Sequence, residues 1–160
     1  RGDGSTSTAH SGYQGFSGHH LDMNFVARHL GRKTESLMES NGVLNGNAFK
    51  LFRGSIDFVK GCAGSVGNEK EDVLLLGDDV VNQTIPLILC AEEDVEGNHG
   101  ASIGELDEKT LFYLMSRGFT KEAAEAMIAG ARLEAIAAEI PVPEVREQVE
   151  KELEEQHEEL

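Results

Sequence analysis

The chain has 160 residues, of which 39% are apolar and 27% charged; 29 acids against 14 bases give a formal net charge of −15. That length predicts one compact domain, able to bury roughly 68–70% of its unfolded surface without disulfide staples. The acidic balance argues against a nucleic-acid partner, whose phosphates need clustered Lys and Arg, and no apolar run approaches the ~18 residues of a membrane span.

Residues 1–19 are rich in Gly, Ser, Thr and His with few apolar anchors, and read as a loop, a frayed edge or a strand without a partner. Residues 20–106 carry short β-type runs: Asn24–Ala27, Gly42–Leu44, Ala48–Phe52, Ser55–Val59, Val73–Leu76 and Pro86–Cys90. Turn residues such as Asn45-Gly46 separate them, and no helical pattern intervenes, which excludes ordinary βαβ crossovers. A sandwich or a stacked solenoid remains. Ser55-Ile56-Asp57-Phe58 alternates polar and apolar, whereas Val73–Leu76 is continuously apolar, as expected of a strand buried on both faces. These features favour the solenoid. Its open ends expose unpaired strand edges, so the chain is expected to self-associate through one of them.

At Asp107 the period changes to 3.6. Asp107 is the expected N-cap of a helix through Arg117, with Gly118 at its stop, and Thr120 that of a second helix running to about Glu139. Ala124, Met127, Ile128, Ala131, Ala135 and Ile136 are its expected packed face, and Gly130 marks a close contact. Pro141 and Pro143 interrupt the chain before an acidic tail over 141–160, with only Val145, Val149 and Leu153 as an apolar stripe; it reads as a marginal helix in need of a partner surface, or as a solvated segment. The organisation read from this is a β core over 1–106, two helices over 107–140 lying across its end, and the tail.

Cys62 and Cys90, with no CxxC pair, read as reduced thiols of a cytoplasmic protein, and as buried structural thiols. Trp is absent and only two Tyr occur, so no aromatic platform for sugars or bases is expected. The chain opens on Arg1 rather than Met, and reads as a fragment or a processed chain. Five of the six histidines precede Asp107. Strand alternation puts His20 and Asp22 on one face, where they could supply two metal ligands; the plainer reading has His20, Asp22 and His29 lining a solvated side of the strands. His99, between Gly97 and Gly100, is open to a metal or to a partner's backbone, or is a turn histidine bonded to nearby carbonyls. No HExxH or CxxC zinc pattern occurs, and no Ser-His-Asp order, GxSxG or Walker A pattern, so nucleophilic hydrolysis and direct ATP binding have no support.

The run from Asp94 to Asp107 (DVEGNHGASIGELD), followed by Leu111–Gly118 (LFYLMSRG), resembles the C-terminal core of the SufB/SufD family, whose pattern is close to DVKCSHGATVGxLDxxxLFYLxSRGI. His20-x-Asp22, His29, Gly42-Val43-Leu44, Phe52–Ile56, Leu74–Leu76 and Ile85-Pro86-Leu87 follow in the family's order, so the resemblance covers about residues 20–140. It implies a right-handed parallel β-helix, truncated and capped by C-terminal α-helices. The role it implies is that of a non-enzymatic scaffold for iron–sulfur cluster assembly, holding or handing over nascent clusters. The implied partners are a SufC-type ABC ATPase at the helices and a SufB/SufD-type chain, or a second copy, at the β-helix end. His99 is then the metal or inter-subunit contact. The motif Cys is replaced by Gly97, and Val80–Gln83 lack the Cys of SufB-like members; Cys90 is the nearest substitute thiolate. A different reading, a β-helix carbohydrate-active enzyme, would use Asp78, Asp79, Glu92, Glu93 and Asp94 as paired carboxylates. A third is a purely structural dimerisation module.

Overall fold

The computed structural model describes residues 2–157. Seven strands come first: β1 (Thr6–Gly15), β2 (His20–His29), β3 (Glu35–Asn45), β4 (Phe49–Phe58), β5 (Ser65–Leu76), β6 (Val81–Cys90) and β7 (Val95–Gly104). Three helices follow, α1 (Glu108–Ser116), α2 (Lys121–Ala137) and α3 (Pro143–His157). The strands form two sheets, in the orders β1-β3-β5-β7 and β2-β4-β6, and every pairing is parallel. Paired positions lie 29 to 32 residues apart, as Thr6 with Glu35 and Phe49 with Val81. The chain therefore winds through about three turns of a β-solenoid, one strand in each sheet per turn, with β7 opening a fourth.

Alternation sorts each strand into a lumen-facing and an outward set. Leu44, Phe52, Ile56, Phe58 and Val73 fill the lumen and are almost wholly buried. Several predicted runs prove to be parts of longer strands: Ala48–Phe52 and Ser55–Val59 flank Arg53 and Gly54, which lie inside the single strand β4. Residues 6–15, low in apolar residues, are a regular strand paired with β3 on one side. The segment around His99, one reading of which was a turn, is the strand β7.

Val73–Leu76 is buried on both faces because a helix covers the outer one. Val43, Leu74 and Leu76 point outward and pack with Ala129 and Leu133 of α2. Arg132 pairs with Asp72 at 2.6 Å, and Ile136 lies against Gly12. α2 thus covers part of the outer face of the four-stranded sheet, with α1 and α3 packed on α2, instead of two helices lying across the end of the stack. The outward apolar residues at the C-terminal ends of β3 and β5 dictate this placement. The packed face of α2 is Ala124, Ala129, Gly130, Leu133 and Ala137, so Met127, Ala131 and Ala135 of the expected face turn to solvent. Gly130 is buried as its position required.

Asp107 caps α1 by accepting from the Thr110 amide, and Thr120 caps α2 by accepting from that of Ala123. Gly118, at φ +97°, ends α1 in the left-handed region. The acidic tail is largely helical: α3 brings Leu153 against the cluster beneath α2. Residues 158–160 of that tail, and Arg1, lie outside the described residues.

Candidate functional site

The lumen carries a polar centre that the sequence patterns gave no reason to seek. Lys50 faces inward from β4, in one row with Leu21 and Asn82. Its ammonium donates to a Glu71 oxygen, to Asn82 Oδ1 at 2.9 Å and to Thr84 Oγ1 at 3.0 Å, which uses all three of its protons. Glu71 also accepts from the Tyr13 hydroxyl at 3.1 Å and from Thr84 at 2.7 Å. Burial lowers the Lys50 pKa, opposed by Glu71; burial, with the adjoining Glu71 carboxylate, raises that of Tyr13.

One lumen-facing position nearer the start of β5, Glu69 is 5% exposed. Its carboxylate lies over Gly54, where a Cβ would come within 2.1 Å of Oε1, so glycine makes the space. Oε2 has no hydrogen-bond partner, and burial raises the pKa, reinforced by Glu71. On β7, His99 is the register partner of Glu69 and faces the same lumen. Because β7 is the last strand of its sheet, His99 is exposed where Glu69 is not.

Cys90 is an exposed free thiol at the end of β6, in the row of His29 and Phe58. His99 belongs to the row of Glu69, Gly54 and Pro86. Pro86 and Cys90 are four residues apart on β6, about 13 Å along the strand. The two sequence-predicted site residues therefore share the open end of the solenoid without converging. Among the described residues, no three His, Cys, Asp or Glu side chains cluster as a metal-binding group.

The remaining candidates separate. His20 stacks on Phe49, and Asp22 pairs with Arg53; both lie on the outer face of β2, as the plainer reading held. His29 does not line that solvated side. It is buried in the lumen between Thr34 Oγ1 at 2.7 Å and Ser36 Oγ at 2.9 Å, with its ring against Phe58. Burial lowers its pKa. Cys62 is buried, and burial pushes its thiol up, whereas Cys90 is exposed, against the expectation of two buried thiols. Asp78 and Asp79 lie in the turn before β6, and Glu92, Glu93 and Asp94 in the turn after it. Those turns stand at opposite ends of a strand roughly 30 Å long, so the two acid groups cannot act as one carboxylate pair. Gly61 and Glu93 amides donate to Glu92 and hold its pKa below the usual range.

Two exposed apolar surfaces complete the inventory. On β6, Val81, Ile85, Leu87 and Leu89 all face outward beside the free strand edge. On α1, Phe112 is 75% exposed, with Tyr113 and Met115 nearby. No helix among the described residues is long and apolar enough to cross a membrane.

The class that these features define is a parallel β-solenoid with a polar lumen, open at a histidine-bearing strand and flanked by uncovered apolar faces. The family described as "SUF system FeS cluster assembly, SufBD core domain" matches residues 1–132, and the chain belongs to it. It is 31% identical over 128 residues to the iron–sulfur cluster assembly protein SufD of Bacillus subtilis, covering 79% of this chain and 29% of that protein. An iron–sulfur cluster assembly SufBD family protein of Mycobacterium bovis is 36% identical over 123 residues, 77% of this chain and 14% of its own length. SufB of Bacillus subtilis is 29% identical over 125 residues, 78% of this chain and 27% of that one. The chain thus spans less than a third of these relatives.

Proposed function

We propose that this chain is a non-catalytic scaffold segment of a SUF-type assembly complex, which holds or hands over a nascent iron–sulfur cluster at the open end of its solenoid. The observation that carries this reading is the position of His99: exposed, facing the lumen, and on the last strand of its sheet. An imidazole there can meet a metal without any rearrangement of the core. The cluster is cargo, and this end offers it His99 and, about 13 Å along the strand direction, the Cys90 thiol. Its other ligands come from a second chain. A SufB/SufD-type partner or a second copy fits the free edges of β6 and β7, where pairing would also cover Val81, Ile85, Leu87 and Leu89. A SufC-type ABC ATPase docks on the helices, where Phe112, Tyr113 and Met115 stand uncovered. The two free cysteines fit a reducing, cytoplasmic setting.

Anaerobic reconstitution with iron and sulfide, followed by absorption spectroscopy, tests the reading. The chain should develop sulfide-to-iron charge-transfer bands, and His99→Ala should lose most of them. Equal bands in the variant would remove His99 from the site.

A further inference from the structure

Glu69 is a buried carboxylate without a partner for one of its oxygens. Lys50 cannot serve it, because all three ammonium protons already go to Glu71, Asn82 and Thr84. Among the described residues Glu69 makes no salt bridge, and its Oε2 accepts nothing. A carboxylate so placed is costly unless a donor reaches it. The adjacent titratable donor on the lumen side is His99, its register partner one strand nearer the open end, about 4.8 Å away by strand spacing. The His99 side chain is exposed, whereas the Glu69 carboxylate is buried over Gly54.

We propose that Glu69 is the positioning residue of His99: its carboxylate accepts one imidazole N–H, selects a single tautomer and turns the other ring nitrogen outward, toward the open end. Histidines that meet metals commonly donate their second N–H to a carboxylate in this way. Gly54 is the third member of the arrangement, since any side chain there would displace the carboxylate. The proposal deepens the reading of His99 as the cargo contact and rests on it for its purpose, but the hydrogen bond is testable without metal.

The experiment uses the whole chain, with histidine side chains observed by long-range proton–nitrogen correlation NMR at pH 8, and with cobalt(II) as an absorption probe of binding. His99 of the unmodified chain should show one neutral tautomer. Glu69→Ala should give the tautomer mixture of a free imidazole and weaken cobalt binding about tenfold or more. Glu69→Gln, whose side-chain oxygen still accepts, should keep the single tautomer. A tautomer mixture in the unmodified chain would overturn the proposal, even if Glu69→Ala failed to fold. So would a single tautomer retained in a folded Glu69→Ala. Because the tautomer is read without metal, it decides on Glu69 independently. Unchanged cobalt binding in His99→Ala would instead overturn the reading of His99 as the cargo contact.

Discussion

Lys50 and Glu71 form an ion pair across the lumen, with 0% and 1% of their side chains exposed. Each is further bonded by neutral groups, Lys50 by Asn82 and Thr84 and Glu71 by Tyr13 and Thr84, so no charge in the pair is left bare. The pair joins the strand β4 of one sheet to β5 of the other and links the Tyr13 turn to the β6 turn. Such a pair contributes little against an apolar substitute, yte removing one partner strands the other.

Lys50→Met should therefore lower the unfolding free energy by about 3–5 kcal/mol, because Glu71 is left charged and buried. Lys50→Met combined with Glu71→Leu should recover part of that loss. Chemical denaturation of the three proteins checks this; a double variant no better than Lys50→Met would show that the charges are not the cause.

His29 predicts a pH dependence. Its pKa in the fold is depressed by burial, so between that value and the unfolded value near 6.5 the unfolded chain binds more protons. Its contribution is fully present above about 6.5 and is lost as pH falls through the depressed value, with a slope of at most about 1.4 kcal/mol per pH unit. Thermal unfolding from pH 7.5 downward should show the decline, and His29→Gln should show less of it. An identical slope in that variant would place the titration elsewhere.

Gly97 stands where the family pattern quoted above has cysteine. A Cβ there would come within 2.9 Å of Ile88 Cγ2 and 3.1 Å of Phe58 Cε2, so Gly97→Cys should cost about 1–3 kcal/mol as Ile88 shifts. It would also place a thiol on the lumen face two residues from His99. We expect more cluster per chain after reconstitution than in the unmodified protein, measured as iron and acid-labile sulfide. No gain would mean that a thiolate at this position cannot reach the cargo.

Phe112 tests the helical surface. Phe112→Asp alters a side chain that is 75% exposed, so the melting temperature should stay within a few degrees. Association with a SufC-type ATPase, measured by calorimetry, should weaken at least about tenfold if the residue is buried in the contact, since the new charge would lose its water without a partner. Unchanged affinity would move the docking site off α1.

The sequence made the solenoid legible through its punctuated apolar runs, and the helices through their caps, Asp107, Thr120 and Gly118. The acidic tail yielded less, because a thin stripe such as Val149 and Leu153 signals a helix only once a surface is there to receive it. Helix placement was not legible: Leu74 and Leu76 announce burial on both faces, but not whether a strand or a helix covers the outer one. Lys50 and Glu71 were missed for a physical reason. Periodicity marks apolar inward positions, and a charge on the inward parity looks like an interruption until its partner, 21 residues on, is seen opposite. Both cysteines were expected to be buried; Cys62 lies in the interior, while Cys90 is bare because it ends the last strand of its sheet. His99 is singled out by its motif. That it shares a register with Glu69 follows only from the 30-residue offset between β5 and β7.

Whether His99 meets the cluster is read by pulsed electron–nuclear resonance on the reconstituted, reduced chain with nitrogen-15 in its histidines. A strongly coupled histidine nitrogen is expected, one that disappears in His99→Ala. A cluster signal with no such coupling, or with the same coupling in the variant, would contradict that contact.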